Sequence, residues 1–272
     1  MDRIRKALEL SRAQRAAGPG RPVAQTPERT GAAGREEAAQ VVRVRTRVAA
    51  VREDELRRNR VLVPGVEDAA WNAYRMLRTQ TLHLLNKHGF RSIAVVSPAA
   101  EDGRTLTAIN LAVAIAADPD HTALLVDLDL RRPSVHRYFG IAPTRGVVEC
   151  LRSAVDVTEV AVRPEPYSKL VLLTGADAET GSAELLSGEG VRRLTGELHD
   201  RYANRIVIYD LPPLLSSADA LAFLPCVDSA LLVACEGRTR RQDIAQCLDL
   251  LRGTPIAGTV LNGSRAKPAG TG

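Results

Sequence analysis

Asp127 and Asp129 stand two residues apart at the end of the apolar run Leu124-Leu125-Val126, in Leu124-Leu-Val-Asp127-Leu-Asp129-Leu-Arg-Arg-Pro133. On an extended backbone, residues i and i+2 point to the same side, so the two carboxylates can address one site. In an open α/β sheet, ligands bind beyond the carboxyl ends of the strands. Two carboxylates there suit a hard cation such as Mg²⁺, which takes one or two carboxylates together with phosphate oxygens. The plain alternative is an acidic turn after a core strand, and other residues must decide between the two.

Three further stretches bear on that choice. Ser97-Pro-Ala-Ala-Glu-Asp-Gly-Arg-Thr105 follows the apolar strand Arg91–Ser97. A phosphate-binding loop reads G-x-x-x-x-G-K-[ST], where glycines let backbone amides wrap phosphate, Lys reaches the β/γ oxygens and the hydroxyl ligates Mg²⁺. Gly103 and Thr105 are in place, and the helix start after Gly103 offers its amides to an anion. Pro98 stands at the first glycine and Arg104 at the lysine. Asp210 ends a second apolar strand, Arg205-Ile-Val-Ile-Tyr-Asp210, at the position of a Walker B carboxylate that helps to hold Mg²⁺. Asn262 follows the last apolar strand, where it could meet a base edge. In this order and on strand ends, these residues describe a nucleotide site.

The elements that must position them alternate. Spacing predicts a helix over 69–88 capped by Asp68 and ended by Gly89, a strand over 91–97 and a helix over 105–117. Strands are expected at 122–127, 169–173, 205–210, 229–234 and 256–261. Helices are expected at 182–202, broken or continuous, at 219–224 and at 239–251, with short helices in 133–168. Strand–helix alternation of this kind argues for a doubly wound three-layer α/β fold with a mostly parallel sheet.

Charge separates the domain from its leader. The chain has 272 residues and a formal charge of +5, from 37 Lys and Arg against 32 Asp and Glu. The first sixty residues hold 15 and 8 of these, leaving 22 and 24 for residues 61–272. The basic character therefore belongs to the leader. With aromatics at 3%, few stacking platforms exist for single-stranded nucleic acid, and a nucleic-acid partner is not expected. Cys150, Cys226, Cys235 and Cys247 lack metal-ligand spacing and read as reduced, mostly buried small residues. No apolar run reaches the length of about 18 residues that a membrane span needs, so a cytoplasmic protein is expected. The expected organisation is an N-terminal helix over 1–16 for partner contact, a flexible basic linker over 17–60, a domain over 61–264 and a disordered tail over 265–272 without tyrosine. Within the linker, the Arg-rich segment 42–60 carries apolar residues that could order against the domain.

The blocks SPAAEDGRTLTAINLA, LLVDLDLRRPSVHRYFG, IVIYDLPPLLSSADALAF, VDSALLVACEGRTRR and GTVLNG together resemble the bacterial tyrosine kinase family of capsule and exopolysaccharide loci. The MDRIRKALE start and the AYRMLRTQ segment are most similar to its exosortase-associated group. The resemblance implies a P-loop nucleoside-triphosphatase fold of the MinD-like (SIMIBI) kind, ATP and Mg²⁺ as cofactors, and γ-phosphate transfer to tyrosine. It also implies a membrane polysaccharide co-polymerase, a chain-length determinant of the Wzz type, that would draw the protein to the inner face of the membrane. By position, Gly103, Arg104, Thr105, Leu106 and Asn262 correspond to nucleotide contacts, and Thr105, Asp127 and Asp210 to the metal site. Asp129, Arg104 and Asp127 correspond to the catalytic residues, and Asp129 to the one that orients or deprotonates the acceptor hydroxyl.

Departures from the family pattern S-P-x-P-G-E-G-K-T shape the expectation for activity. Glu101 brings a carboxylate to the glycine position where backbone meets phosphate, and Arg104 brings a planar fork in place of an ammonium. The C-terminal tyrosine cluster of many members is absent, leaving Tyr74, Tyr138, Tyr167, Tyr202 and Tyr209. The ring-forming ExxRxxR pattern appears as Asn72-x-x-Arg75-x-x-Arg78, so a homo-oligomer lacks one charged partner. Weak or lost kinase activity is expected. The rival readings are an inactive scaffold of the same pathway and a Min- or Par-type partition ATPase, against which Ala99 and the DLRRP block speak.

Overall fold

The computed structural model describes residues 46–66, 68–153, 155–200 and 204–264. The proposed helix over 1–16, the linker up to residue 45, Tyr202 and the tail lie outside the described residues.

Four apolar runs form the middle of the sheet: β2 (Ser92–Val96), β3 (Thr122–Asp127), β6 (Arg205–Asp210) and β7 (Ser229–Cys235). They are buried almost without interruption, as strands covered by helices on both faces must be. With β1 (Arg47–Ala49), β4 (Val162–Pro164), β5 (Leu170–Leu173) and β8 (Ile256–Asn262), they make an eight-stranded sheet of order β1-β4-β5-β3-β6-β2-β7-β8. Every pairing is parallel except the short antiparallel β4–β5 contact.

The period of two sends alternate side chains into two separate cores. Ala94, Val96, Leu124, Val126, Val207, Tyr209 and Leu232 face one. This side is covered by α5 (Val147–Ser153), α8 (Glu189–Asp200) and α9 (Ala218–Phe223). Ile93, Val95, Leu125, Ile206, Ile208, Leu231 and Val233 face the other. There they meet α1 (Glu53–Arg58), α2 (Ala69–His88) and α3 (Arg104–Ala116). The remaining helices are α4 (Val135–Tyr138), α6 (Val157–Val160), α7 (Ser182–Ser187) and α10 (Arg241–Leu250), with a 3₁₀ turn at Leu224–Cys226.

Most expected elements appear within a residue or two of their predicted ends. Asp68 caps α2 by accepting from the Trp71 amide at 2.8 Å, and Gly89 closes it at φ 68°. The segment 182–202 breaks at Gly188, whose backbone is extended, into α7 and α8. Strand β4 lies in 133–168, where only short helices were expected.

Residues 46–60, assigned by composition to the linker, contribute β1 and α1 to the domain. Leu56 is fully buried in the core shared with Ile93 and Phe139. Asn110 fixes the chain that follows: its Oδ1 accepts from the Leu62 amide at 2.9 Å and its Nδ2 donates to the Arg60 carbonyl at 3.0 Å. Arginines that are exposed on α1 give this stretch the look of a linker, and one leucine anchors it. Leu56→Ala is expected to cost about 2–5 kcal/mol in denaturant unfolding, as for other buried leucines. A change within about 0.5 kcal/mol, typical of surface positions, would return 46–60 to the linker.

Candidate functional site: a carboxylate cluster beneath a phosphate-type loop

Strand pairing builds the centre of the site. Asp127 and Asp210 end β3 and β6 and are register partners in adjacent strands. Both are fully buried. Asp127 is committed to backbone: its Oδ2 accepts from the Ser134 and Val135 amides at 2.8 and 3.0 Å, and its Oδ1 from Asp129 N at 3.2 Å. It thereby holds the start of α4 against the sheet. Burial and then the neighbouring Asp210 raise its carboxyl to about 7. Asp210 is raised to about 6 by burial, with Arg104 and the Thr105 hydroxyl pulling the other way. Neither Asp210 oxygen closes a hydrogen bond, and Arg104 Nε lies 3.6 Å from Oδ1.

Asp129, nearly buried, is also raised by burial, and Arg104 opposes that shift. Arg104 donates through its terminal nitrogen to Asp129 Oδ2 and through Nε to the Leu211 carbonyl. Its guanidinium, 7% exposed, therefore lies among the carboxylates at the strand ends. Three buried carboxylates around one guanidinium leave the cluster short of positive charge, a costly state away from water.

Above this cluster runs the loop 97–103. The Asp102 carboxylate is buried and accepts from the Ala99 amide at 3.0 Å, closing the loop on itself. Ser97 Oγ donates to the Ala99 carbonyl at 2.7 Å. The amides of Leu214 and Leu215 donate to the carbonyls of Ser97 and Pro98, tying the loop to the chain after β6. Gly103 starts α3 at φ 90°, and a Cβ there would lie 1.9 Å from Asn262 Nδ2. Asn262 Nδ2 donates to the Asp102 carbonyl at 2.9 Å, so this side chain braces the loop from the end of β8. Thr105 and Leu106, both half-buried, occupy the first turn of α3.

Glu101 departs from the expectation that its carboxylate would obstruct phosphate. It takes the left-handed backbone that glycine would provide, at φ 63°. Its side chain turns outward to Arg238 at 3.1 Å, with 78% and 52% of the two side chains exposed. A pair that exposed contributes little to stability, and it keeps the Glu101 carboxylate on the outer side of the loop.

A second network was not legible beforehand. Fully buried Asp219 accepts from Arg131 Nε and a terminal nitrogen at 3.1 and 3.2 Å and from Ser182 Oγ at 2.5 Å. It joins the DLRRP turn to the starts of α7 and α9. Its only signal was an acid two residues after a cap serine, Ser217, in SSADALAF. Arg132 of the same turn is exposed. On the α2 face, Arg78 turns back toward the Ala114 carbonyl at 3.4 Å.

The residues present fit Mg²⁺ in a limited way. Asp210, with two buried oxygens lacking a donor, and the nearby Thr105 hydroxyl would hold it. Among the described residues no three His, Cys, Asp or Glu side chains group to hold a metal by themselves. That is consistent with an ion that completes its shell with phosphate and water.

Sheet order, the β2–loop–α3 unit and strand-end carboxylates define a P-loop nucleoside-triphosphatase fold. No family model matches the chain. It is 29% identical over 212 residues to tyrosine-protein kinase YwqD of Bacillus subtilis (strain 168), covering 77% of this chain and 88% of that protein. It is 28% identical over 214 residues to the succinoglycan biosynthesis transport protein ExoP of Rhizobium meliloti (strain 1021), covering 76% of this chain and 26% of ExoP. The solved kinase domain of Escherichia coli tyrosine kinase ETK superposes with a TM-score of 0.67 at 28% identity, over 75% of this chain and 80% of that one. In sequence and in fold the chain is thus similar to the bacterial tyrosine kinases. It spans only about a quarter of the length of the longer relatives it matches, ExoP and the kinases of Acinetobacter johnsonii and Escherichia coli.

The bracing of the loop is directly testable. Gly103→Ala forces a side chain into the left-handed region and against Asn262. It is expected to lower unfolding stability by about 1–3 kcal/mol, the usual range for such backbone strain. An unchanged denaturation midpoint would mean that the loop does not depend on this contact.

Proposed function

We propose that this chain is an ATP-binding, tyrosine-kinase-like protein of exopolysaccharide or capsule biosynthesis. Its own phosphoryl transfer is weak or lost. It acts in the cytoplasm on polymerisation or export through a membrane chain-length partner of the Wzz type, which recruits it to the inner face of the membrane. Kinship with YwqD and ETK supports the nucleotide half, and kinship with ExoP supports the pathway.

One observation carries the loss of activity. The cationic side chain at the lysine position is directed at Asp129 and Leu211 O, below the loop, and so is not placed along its phosphate-facing side. Phosphoryl transfer depends almost wholly on positioning and on charge brought to the phosphate oxygens. An arginine held by two acceptors gives up both contacts before it can serve there. The acceptor side is equally closed: Tyr167 and Tyr209 are buried and Tyr74 and Tyr138 half-buried, so none of the described tyrosines is displayed as a substrate.

Millimolar Mg-ATP is expected to raise the melting temperature of the purified full chain, since a ligand at a hundred times its Kd stabilises by about 2.7 kcal/mol. After incubation, mass spectrometry is expected to find no phosphotyrosine. The double variant Glu101→Gly with Arg104→Lys should gain ATP turnover by about tenfold or more, equivalent to about 1.4 kcal/mol of barrier. A flat melting curve would remove nucleotide binding from the proposal. Abundant phosphotyrosine in the wild type would remove the loss of activity. A double variant that binds ATP without any gain in turnover would favour a scaffold.

A further inference from the structure

The first residue of α3 decides what the carboxylate cluster can accept. Gly103 turns the chain at φ 90°, and Arg104, immediately after it, runs to the strand ends. Its terminal nitrogen is hydrogen-bonded to Asp129, its Nε to the Leu211 carbonyl, and the same Nε lies 3.6 Å from Asp210 Oδ1. The side chain is almost wholly enclosed. A guanidinium is permanently charged, planar and directional, and it is less strongly hydrated than an ammonium, which suits it to a buried ion pair. It therefore stands where a cation bridging Asp129 and Asp210 would stand.

We propose that Arg104 is the resident cation of this site, and that it excludes a divalent ion from Asp210 for as long as it bridges to Asp129. Two positive charges compete for that space: an ion on Asp210 would lie within a few ångströms of the guanidinium, Asp129 is already taken by Arg104, and Asp127 is turned to the backbone amides of Asp129, Ser134 and Val135. Divalent cation binding and the Arg104–Asp129 pair are thus alternatives. Anything that offers Arg104 another anion, such as a polyphosphate in the loop above, releases Asp210 for the metal. By linkage the two ligands then favour each other. The inference rests on reading Asp210 as the carboxylate of a nucleotide site. It is nevertheless testable without nucleotide, so the two can fail separately.

The probe is Mn²⁺ alone, titrated into the nucleotide-free full chain and followed by the free-ion electron paramagnetic resonance signal. Arg104→Gln keeps a similar reach and removes the charge. It is expected to bind Mn²⁺ more tightly than the wild type by a factor of about 5–150, the usual span of coupled sites. Adding Asp210→Asn to that variant should abolish the gain, which locates the ion. A melting scan supplies a readout independent of the spectrum. Wild type should melt at one temperature in EDTA and in millimolar Mg²⁺, whereas Arg104→Gln should melt lower in EDTA and recover when Mg²⁺ is added. Arg104→Lys retains charge for folding but loses the fork, and it should shift Mn²⁺ affinity in the same direction by less. Equal Mn²⁺ affinity in wild type, Arg104→Gln and Arg104→Lys would overturn the inference. So would a gain that survives Asp210→Asn. Neither result would bear on whether ATP binds.

Discussion

The fold brings two carboxylates face to face where water is excluded. Asp127 and Asp210 are register partners at the ends of neighbouring buried strands, and one of them has no hydrogen-bond partner. Burying unpaired carboxylates costs several kcal/mol, and a protein retains such an arrangement only where something offsets it. Three things do so here. Asp127 is consumed by backbone amides at the start of α4, Asp129 by Arg104, and both members of the register pair take up protons more readily than exposed carboxyls do. Asp210 is left as the acceptor to which a cation can come.

The rest of the molecule serves that arrangement. Alternating side chains of β2, β3, β6 and β7 fill two cores, which fixes strand register and so places Asp127 opposite Asp210. A slip of one residue would turn the carboxylates into the other face. Asn262 at the far end of β8 reaches back across Gly103 to the loop, so the last strand also sets the shape of the first loop. Even residues 46–60 are tied to this frame, through Leu56 and through Asn110 on the helix that carries Arg104.

Much of this was legible in the sequence. Uninterrupted apolar runs with an acid at the end gave the central strands, and Asp68, Gly89 and Gly103 marked helix ends because capping and left-handed backbone require those residue types. What was not legible had weak local signals. β1 and β4 are three residues each and pair with one another across more than a hundred positions. The side-chain directions of Glu101 and Arg104 were equally hidden. Composition places a carboxylate and a guanidinium near phosphate, while only packing shows that the first turns out to Arg238 and the second down to Asp129. Asp219 looked like an ordinary residue of a short helix, because its partners Arg131 and Ser182 come from distant segments.

We propose that the buried carboxylates and the loop above them form one nucleotide site whose cation position is held by Arg104. This is tested most directly by a crystal structure of the full chain grown with a non-hydrolysable ATP analogue and Mn²⁺. Anomalous scattering is expected to place the ion against Asp210 and the Thr105 hydroxyl, with Arg104 withdrawn from Asp129 and the phosphates under the 97–103 loop. Nucleotide bound elsewhere, or Mn²⁺ on Asp210 with the Arg104–Asp129 pair intact, would contradict it.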